Sequence, residues 1–227
     1  GWIRSYFLRS LNESWELVGQ YNDNAYILPG VTLSNKERRG SLVDPTAGFS
    51  QIYRLEGGSA DMGSDIDLLR FYSNFTFVTT PAVRHRLVAR AELGAVFLAA
   101  EDRINLAPSL SFFAGGSQSI RGYGYQSLGN EVQIVRRNDS VKSLTVGGDR
   151  LLTTSMEYQY YVNDTWRGAV FVDAGDAFDE GEFEVNVGAG FGVHYLTSVG
   201  AIKIELANSV SEDDPSWRLH INIGAEF

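Results

Sequence analysis

Imidazole acid–base chemistry or a transition-metal site in this chain would have to use three histidines, His85, His194 and His220, and the chain has no cysteine. They lie on three separate segments, and His194 and His220 both fall on the polar faces of theirs. We favour the interpretation that these two histidines only form hydrogen bonds over the interpretation that they form a functional site. The chain has neither a G-x-S-x-G nor an H-E-x-x-H motif. We therefore expect no catalytic residue, no metal and no cofactor.

A second candidate group is built from carboxylates and an arginine. Glu157 and Asp173 both fall on the polar faces of adjacent predicted strands. A carboxylate in a crowded, low-dielectric interior is costly unless it is paired. Arg121, in a long connection, could satisfy both carboxylates with one planar guanidinium if that connection folds inward. Arg86 and Arg90 could serve equally as partners.

The connection that carries Arg121 is the most distinctive part of the chain. It spans residues 99–146 between two strand-like segments and is rich in glycine and aromatic residues. A hairpin needs only about two to five residues, and long ordered loops are usually functional. Gly122 would permit a close backbone approach or a positive φ next to Arg121.

Two other kinds of ligand site receive little support. The Gly115-Gly116-Ser117-Gln118-Ser119 run lacks the following lysine and the strand–loop–helix setting of a phosphate-binding loop. The acidic group of Asp173, Asp176, Asp179 and Glu180 could bind calcium, but a solvated acidic loop is the favoured interpretation.

Hydrophobic alternation predicts the elements that hold these residues. The last segment places Trp217, Leu219, Ile221 and Ile223 on one face and polar residues on the other. About ten segments show this period of two, each long enough for a tilted membrane strand. They cover 2–18, 25–40, 48–59, 65–80, 84–98, 147–162, 166–176, 185–198, 200–209 and 216–227. The predicted fold is all-β, an antiparallel transmembrane β-barrel, with a soluble sandwich as the alternative.

Loop lengths and composition agree with this fold. Short turns alternate with long polar loops, as in outer-membrane barrels. No window approaches 18 consecutive apolar residues, which argues against a membrane-spanning helix. The net charge of −9 argues against nucleic-acid binding. No signal peptide is recognisable, and a chain that begins at Gly1 suggests a mature protein or a fragment.

These features resemble the BamA/TamA superfamily of outer-membrane β-barrel assembly proteins, which also includes the two-partner-secretion transporters. The shared signature joins Gly115 and Gly116 to the run Ile120-Arg121-Gly122-Tyr123. The segments that end in Glu157-Tyr158 and begin with Phe171-Val172-Asp173 resemble the strands after that loop. The residue sequences of both motifs resemble TamA more closely than BamA.

The resemblance implies roles for particular residues. The loop would insert into the lumen, with Arg121 at its tip and Glu157 and Asp173 as its partners on the wall. Phe227 would be the C-terminal targeting signal. Family barrels have sixteen strands behind periplasmic domains, so the chain resembles the ten C-terminal strands of a longer protein. Such a sheet would close on itself or pair with a second copy, because free edges in lipid are costly.

The resemblance also implies a function. We expect a non-enzymatic factor of the bacterial outer membrane that inserts outer-membrane proteins or autotransporters through a lateral seam. The alternatives are a two-partner-secretion transporter and a passive barrel that anchors a fused domain. Expected partners are unfolded outer-membrane clients, outer-membrane lipids, a periplasmic or inner-membrane protein reached through upstream domains, and a second copy; nucleic acid is not expected.

Overall fold

The fold is a large antiparallel sheet with one long connection packed against it. The computed structural model describes residues 1–17, 19–135 and 141–225. In order, the strands β1 to β12 are Trp2–Leu17, Gln20–Gly40, Pro45–Gly58, Leu68–Ala82, His85–Leu98, Glu131–Val135, Val141–Thr145, Arg150–Tyr161, Trp166–Phe178, Asn186–Thr197, Gly200–Ser209 and Trp217–Gly224. Short 3-10 helices cover Ala60–Met62, Ala100–Asn105 and Pro108–Leu110. No helix in the described residues is long and apolar enough to span a bilayer.

Ten of these strands form one sheet in the order β1-β2-β3-β4-β5-β8-β9-β10-β11-β12. Every neighbouring pair is antiparallel, and the strands follow the order of the chain. The all-β antiparallel prediction is therefore confirmed. Within the described residues, β1 and β12 are the two edges of the sheet. The predicted terminal residue Phe227 lies outside the described residues.

The two faces of the sheet differ in chemistry, as the alternation predicts. One face exposes large apolar side chains along most strands, which suits contact with lipid acyl chains. Examples are Phe77, Phe97, Met156, Val172, Phe191, Ile204 and Ile221. The other face, called the inner face below, carries buried polar and charged residues. Examples are Arg86, Glu157, Arg167, Asp173, His194 and Glu205.

The long connection between β5 and β8 covers the inner face. It contains two of the 3-10 helices and the β6–β7 hairpin, which pairs with no other strand in the described residues. Its Ala107, Leu110, Phe112, Ala114 and Ile120 belong to the buried hydrophobic core. The connection contacts both halves of the sheet: Arg70 of β4 donates to the Leu110 carbonyl, and Gly122 donates to His220 of β12. The sheet therefore curves around this connection.

Candidate functional site

The tip of the long connection is a compact turn built on glycines. Gly115 and Gly116 have φ values of 97° and 108°, in the region that favours glycine. The Gly116 N–H donates to the Ile120 carbonyl at 3.2 Å, and the Ser119 N–H donates back to the Gly116 carbonyl at 3.1 Å. Ile120 is fully buried in the core. This turn and its buried anchor set the direction in which Arg121 leaves the loop.

Arg121 uses all five N–H donors of its guanidinium on the inner face of the sheet. Its Nε and Nη2 donate to the two oxygens of Asp173 at 2.7 and 2.9 Å. Nη1 donates to Glu157 at 2.6 Å and to Glu205 at 3.0 Å, and Nη2 also donates to Ser155 at 3.2 Å. The Arg121 backbone N–H adds a bond of 3.0 Å to Asp173. One side chain therefore ties together β8, β9 and β11.

The environment of Arg121 keeps it charged. Burial acts to lower the pKa of the guanidinium, but the hydrogen bond and charge of Asp173 and the charges of Glu157 and Glu205 outweigh it. The net effect raises the pKa above its ordinary value. The guanidinium carbon also lies 3.4 Å from the centroid of the Phe171 ring, a close cation–π contact. The group is thus held by charge on its edges and by an aromatic ring on one face.

Phe171 gives a first prediction. Phe171→Leu should lower the free energy of unfolding in detergent micelles by about 2 kcal/mol, because a desolvated cation–π contact is lost with part of the ring packing. Phe191→Leu is the matched control, since that ring is 53% exposed on the apolar face. Equal losses in the two variants would show that the contact with Arg121 contributes nothing specific.

Glycines allow the loop tip to approach the wall closely. A Cβ at Gly188 of β10 would lie 1.7 Å from the Arg121 carbonyl oxygen, which no side chain could tolerate. Gly122 has a φ of 97°, and a Cβ there would lie 2.7 Å from the Asn208 carbonyl oxygen. The backbone around Arg121 therefore lies directly on β10 and β11.

Tyr123 and His220 extend the contact toward the edge of the sheet. The Tyr123 hydroxyl lies 2.7 Å from the Ser211 hydroxyl, and burial raises the pKa of this phenol. The Gly122 N–H donates to Nε2 of His220 at 3.0 Å. His220 lies on β12, the last strand, so the tip of the loop contacts the strand that forms one edge of the sheet.

His220→Ala gives a second prediction. It should remove the acceptor of the Gly122 N–H and lower the free energy of unfolding by about 1–2 kcal/mol, the cost of leaving a buried donor unpaired. His220→Gln should recover part of that loss, because its amide oxygen can accept the same bond. Urea titration of the two variants would measure the difference. Identical losses would argue that the ring acts only through packing.

The structure brings together Arg121, Glu157 and Asp173, the three residues that sequence patterns placed in one group. Arg86 donates to Gln159 at 2.5 Å, and Arg90 donates to Ser155 at 3.3 Å. Sequence reasoning missed Glu205 and Ser155 as further acceptors and Phe171 as the ring beneath the guanidinium. The alternation along β11 could have placed Glu205 on the inner face, but not at the height of Arg121.

Three inner-face residues offer atoms that could hold a metal ion. Each of three residues offers one possible metal-ligand atom, and these atoms all lie within 4.8 Å of one another. The residues are Glu157, His194 and Glu205. Those atoms are already engaged, because Arg121 donates to both carboxylates. Arg167 Nε donates to His194 Nδ1 at 3.2 Å, so the ring carries its proton on Nε2, which faces Glu205 at 2.9 Å. The guanidinium therefore takes the place that a cation would have.

The acidic residues near the β9–β10 loop pair locally. Asp179 lies 3.3 Å from Arg103, and Glu180 lies 2.9 Å from Arg150. Asp176 accepts the backbone N–H of Glu184 at 3.2 Å. Asp173 belongs instead to the Arg121 group, which consists of Arg121 and its acceptors Ser155, Glu157, Asp173 and Glu205. These four residues do not converge on a common point, so the arrangement differs from a calcium loop.

Comparison with known proteins identifies the family. Residues 18–227 match the Omp85 superfamily domain. The chain belongs to the Omp85 superfamily. Its structure is also similar to the crystal structure of BamA from Haemophilus ducreyi lacking POTRA domains 1–3, with a TM-score of 0.70 and 18% sequence identity. The match covers 90% of this chain and 42% of that chain, so the chain spans less than half of that relative's length.

Membership of the Omp85 superfamily explains the two-faced sheet. Omp85 barrels lie in the bacterial outer membrane, and the family comprises non-enzymatic proteins of outer-membrane protein assembly and transport. The apolar face then meets lipid, and the polar inner face packs against the long connection. At this level, the outer-membrane location and the non-enzymatic class predicted from the sequence are both confirmed.

Proposed function

We propose that this chain is the barrel region of a TamA-like factor that inserts outer-membrane proteins, autotransporters among them, into the outer membrane. The observation that carries the proposal is the one-sided pairing of β12, which in the described residues pairs with β11 alone. An unpaired strand edge presents backbone N–H and C=O groups that a client strand can satisfy. Clients would be unfolded outer-membrane polypeptides, and the local bilayer would be perturbed beside this edge.

The Arg121 group supports this mechanism. It joins β8, β9 and β11 through the loop and also reaches β12 through Gly122 and His220. This arrangement would hold the inner wall in register while the edge of β12 exchanges partners. We propose a likeness to TamA rather than to BamA from the residue sequences of two motifs. These are Ile120-Arg121-Gly122-Tyr123 and the segment that begins at Phe171.

Folding kinetics of a client would test the proposal. The chain is reconstituted in vesicles of outer-membrane lipids, and a urea-unfolded outer-membrane barrel is added. We expect faster client folding than in vesicles that hold a passive barrel of similar size, measured by heat-modifiable migration on gels. Equal folding rates would overturn the proposal.

A third prediction concerns the seam, which is the boundary between the two edge strands, β1 and β12. Cross-linking β1 to β12, from Tyr6→Cys or Leu8→Cys to Ile221→Cys with thiol linkers of graded length, should abolish the acceleration. The chain has no native cysteine, so only introduced thiols react. The matched control joins Ile204→Cys to Ile221→Cys, register partners within β11–β12, which leaves the seam free. Acceleration that survives the β1–β12 link would exclude the seam as the route.

A two-partner-secretion transporter is the second candidate function, because such transporters belong to the superfamily that this chain resembles. It would need an inner space that empties, whereas here the long connection fills this space with a buried core. Ion conductance across a planar bilayer distinguishes the two. Steady conductance that rises when a secreted client is added, with no change in client folding, would favour the transporter.

A further inference from the structure

A closed ring of polar contacts crosses the inner face and joins the loop tip to the short turn between β2 and β3. Each of its eight members contacts the next, and the last contacts the first. In order they are Asp44, Arg167, His194, Glu205, Arg121, Glu157, Gln159 and Arg86.

One side of the ring runs through a histidine. Asp44, in the β2–β3 turn, accepts from Arg167 at 2.7 Å. Arg167 donates to Nδ1 of His194 at 3.2 Å, and Nε2 of His194 lies 2.9 Å from Glu205. Glu205 accepts from Arg121 at 3.0 Å. A guanidinium can only donate, so His194 must accept on one nitrogen and donate with the other. The direction of each bond on this side is therefore defined.

The other side of the ring runs through a glutamine. Arg121 donates to Glu157 at 2.6 Å, and the Gln159 amide donates to the second oxygen of Glu157. The Gln159 carbonyl oxygen accepts from Arg86 at 2.5 Å, and Arg86 lies 3.7 Å from Asp44. Both routes from Arg121 thus end on the same carboxylate.

Asp44 is the member of the ring that is open to solvent. Its side chain is 23% exposed, whereas the other seven residues are buried. It also accepts from the Tyr161 hydroxyl at 2.7 Å. Its turn lies at the same end of the sheet as the short β4–β5, β8–β9 and β10–β11 turns, which is the periplasmic end in outer-membrane barrels.

We propose that Asp44 is a positioning residue for the Arg121 loop, and that changes at the β2–β3 turn alter the docking of that loop through the ring. Two buried guanidinium groups, those of Arg86 and Arg167, face the Asp44 carboxylate. Removal of that charge weakens one contact of each guanidinium, so Arg86 shifts together with its partner Gln159 and Arg167 shifts together with its partner His194. These residues orient Glu157 and Glu205, the carboxylates that hold Arg121. The proposal concerns loop docking and does not depend on client insertion.

Thiol labelling of a buried loop residue would test this coupling. Ala114 belongs to the long connection itself and is 1% exposed, and the chain has no native cysteine. Ala114→Cys therefore gives a single thiol that reacts with a maleimide only when the loop opens. In the whole chain in micelles, adding Asp44→Asn should raise the labelling rate about tenfold, because the buried guanidinium groups of Arg86 and Arg167 lose the carboxylate that they share. Asp23→Asn is the matched control, since that exposed aspartate bonds to Ser14 in the β1–β2 hairpin.

A second reporter separates loop opening from general loosening. Ala201→Cys, on β11 and 3% exposed, reports on the sheet. The proposal requires faster labelling at Ala114 and unchanged labelling at Ala201. Equal increases at both sites, or none at Ala114, would overturn it. If Asp44→Asn does not fold, Tyr161→Phe removes one donor to Asp44 and should raise labelling at Ala114 by a smaller factor, with Asp44→Glu near the parent rate. No increase in Tyr161→Phe would then overturn the proposal.

Discussion

Arg121→Ala should lower the free energy of unfolding by about 3–5 kcal/mol, because it leaves three buried carboxylates without their shared cation. Glu157, Asp173 and Glu205 have side chains that are 3%, 0% and 3% exposed, so water cannot readily replace the guanidinium. Five side-chain hydrogen bonds and the contact with Phe171 are lost together. Urea titration in micelles gives the free energy.

Arg121→Lys tests whether charge or geometry matters more. Lysine keeps the charge but has three donors on one nitrogen, so it cannot bond two oxygens of Asp173 in parallel while it reaches Glu157 and Glu205. We expect the lysine variant to recover less than half of the loss. Arg38→Ala, an exposed arginine on β2, is the control and should change the free energy by less than about 0.5 kcal/mol. A small loss in Arg121→Ala would show that the carboxylates find other partners.

Hydrophobic alternation predicted the sheet closely because the side-chain period of a strand is a local property. The segment 166–176, for example, corresponds to β9, Trp166–Phe178. The same parity placed Glu157 and Asp173 on one face. The β6–β7 hairpin was not predicted, because it lies within the long connection and its alternating segments are only Glu131–Val135 and Val141–Thr145.

The remaining members of the site depend on long-range geometry. Glu205 lies across β10 in register with Ala169, through Gly192, and not with Asp173. Arg121 reaches both carboxylates from the loop, and neither the register nor the position of the loop is visible in a single strand. Asp44 lies in a turn, outside any alternating pattern, and contacts Arg167 only because the strands bring both ends together. Gly188 carries no chemical signal, yet it marks where the loop backbone meets the wall. Such residues are found from packing, not from motifs.

Gly188→Ala should displace the Arg121 loop although it alters no charged group. The added methyl carbon would lie 1.7 Å from the Arg121 carbonyl oxygen and 2.9 Å from its carbonyl carbon. These are backbone atoms, so no rotamer change can relieve the clash. Relief requires the loop to move away from β10, which lengthens the bonds to Asp173 and Glu157. We expect a loss of about 3 kcal/mol in the free energy of unfolding, at the upper end for overpacking.

Limited proteolysis would show where the loss arises. Arg121 is 1% exposed, so trypsin cannot reach the bond between Arg121 and Gly122 while the loop is docked. In Gly188→Ala, cleavage at that bond should appear early and be identified by the masses of the two fragments. Gly168→Ala is the matched control, because Gly168 is also a strand glycine and a Cβ there would meet nothing within 4 Å. If Gly188→Ala is destabilised yet resists cleavage at Arg121, the strain lies in the sheet, and the docked loop tolerates a wider separation from β10.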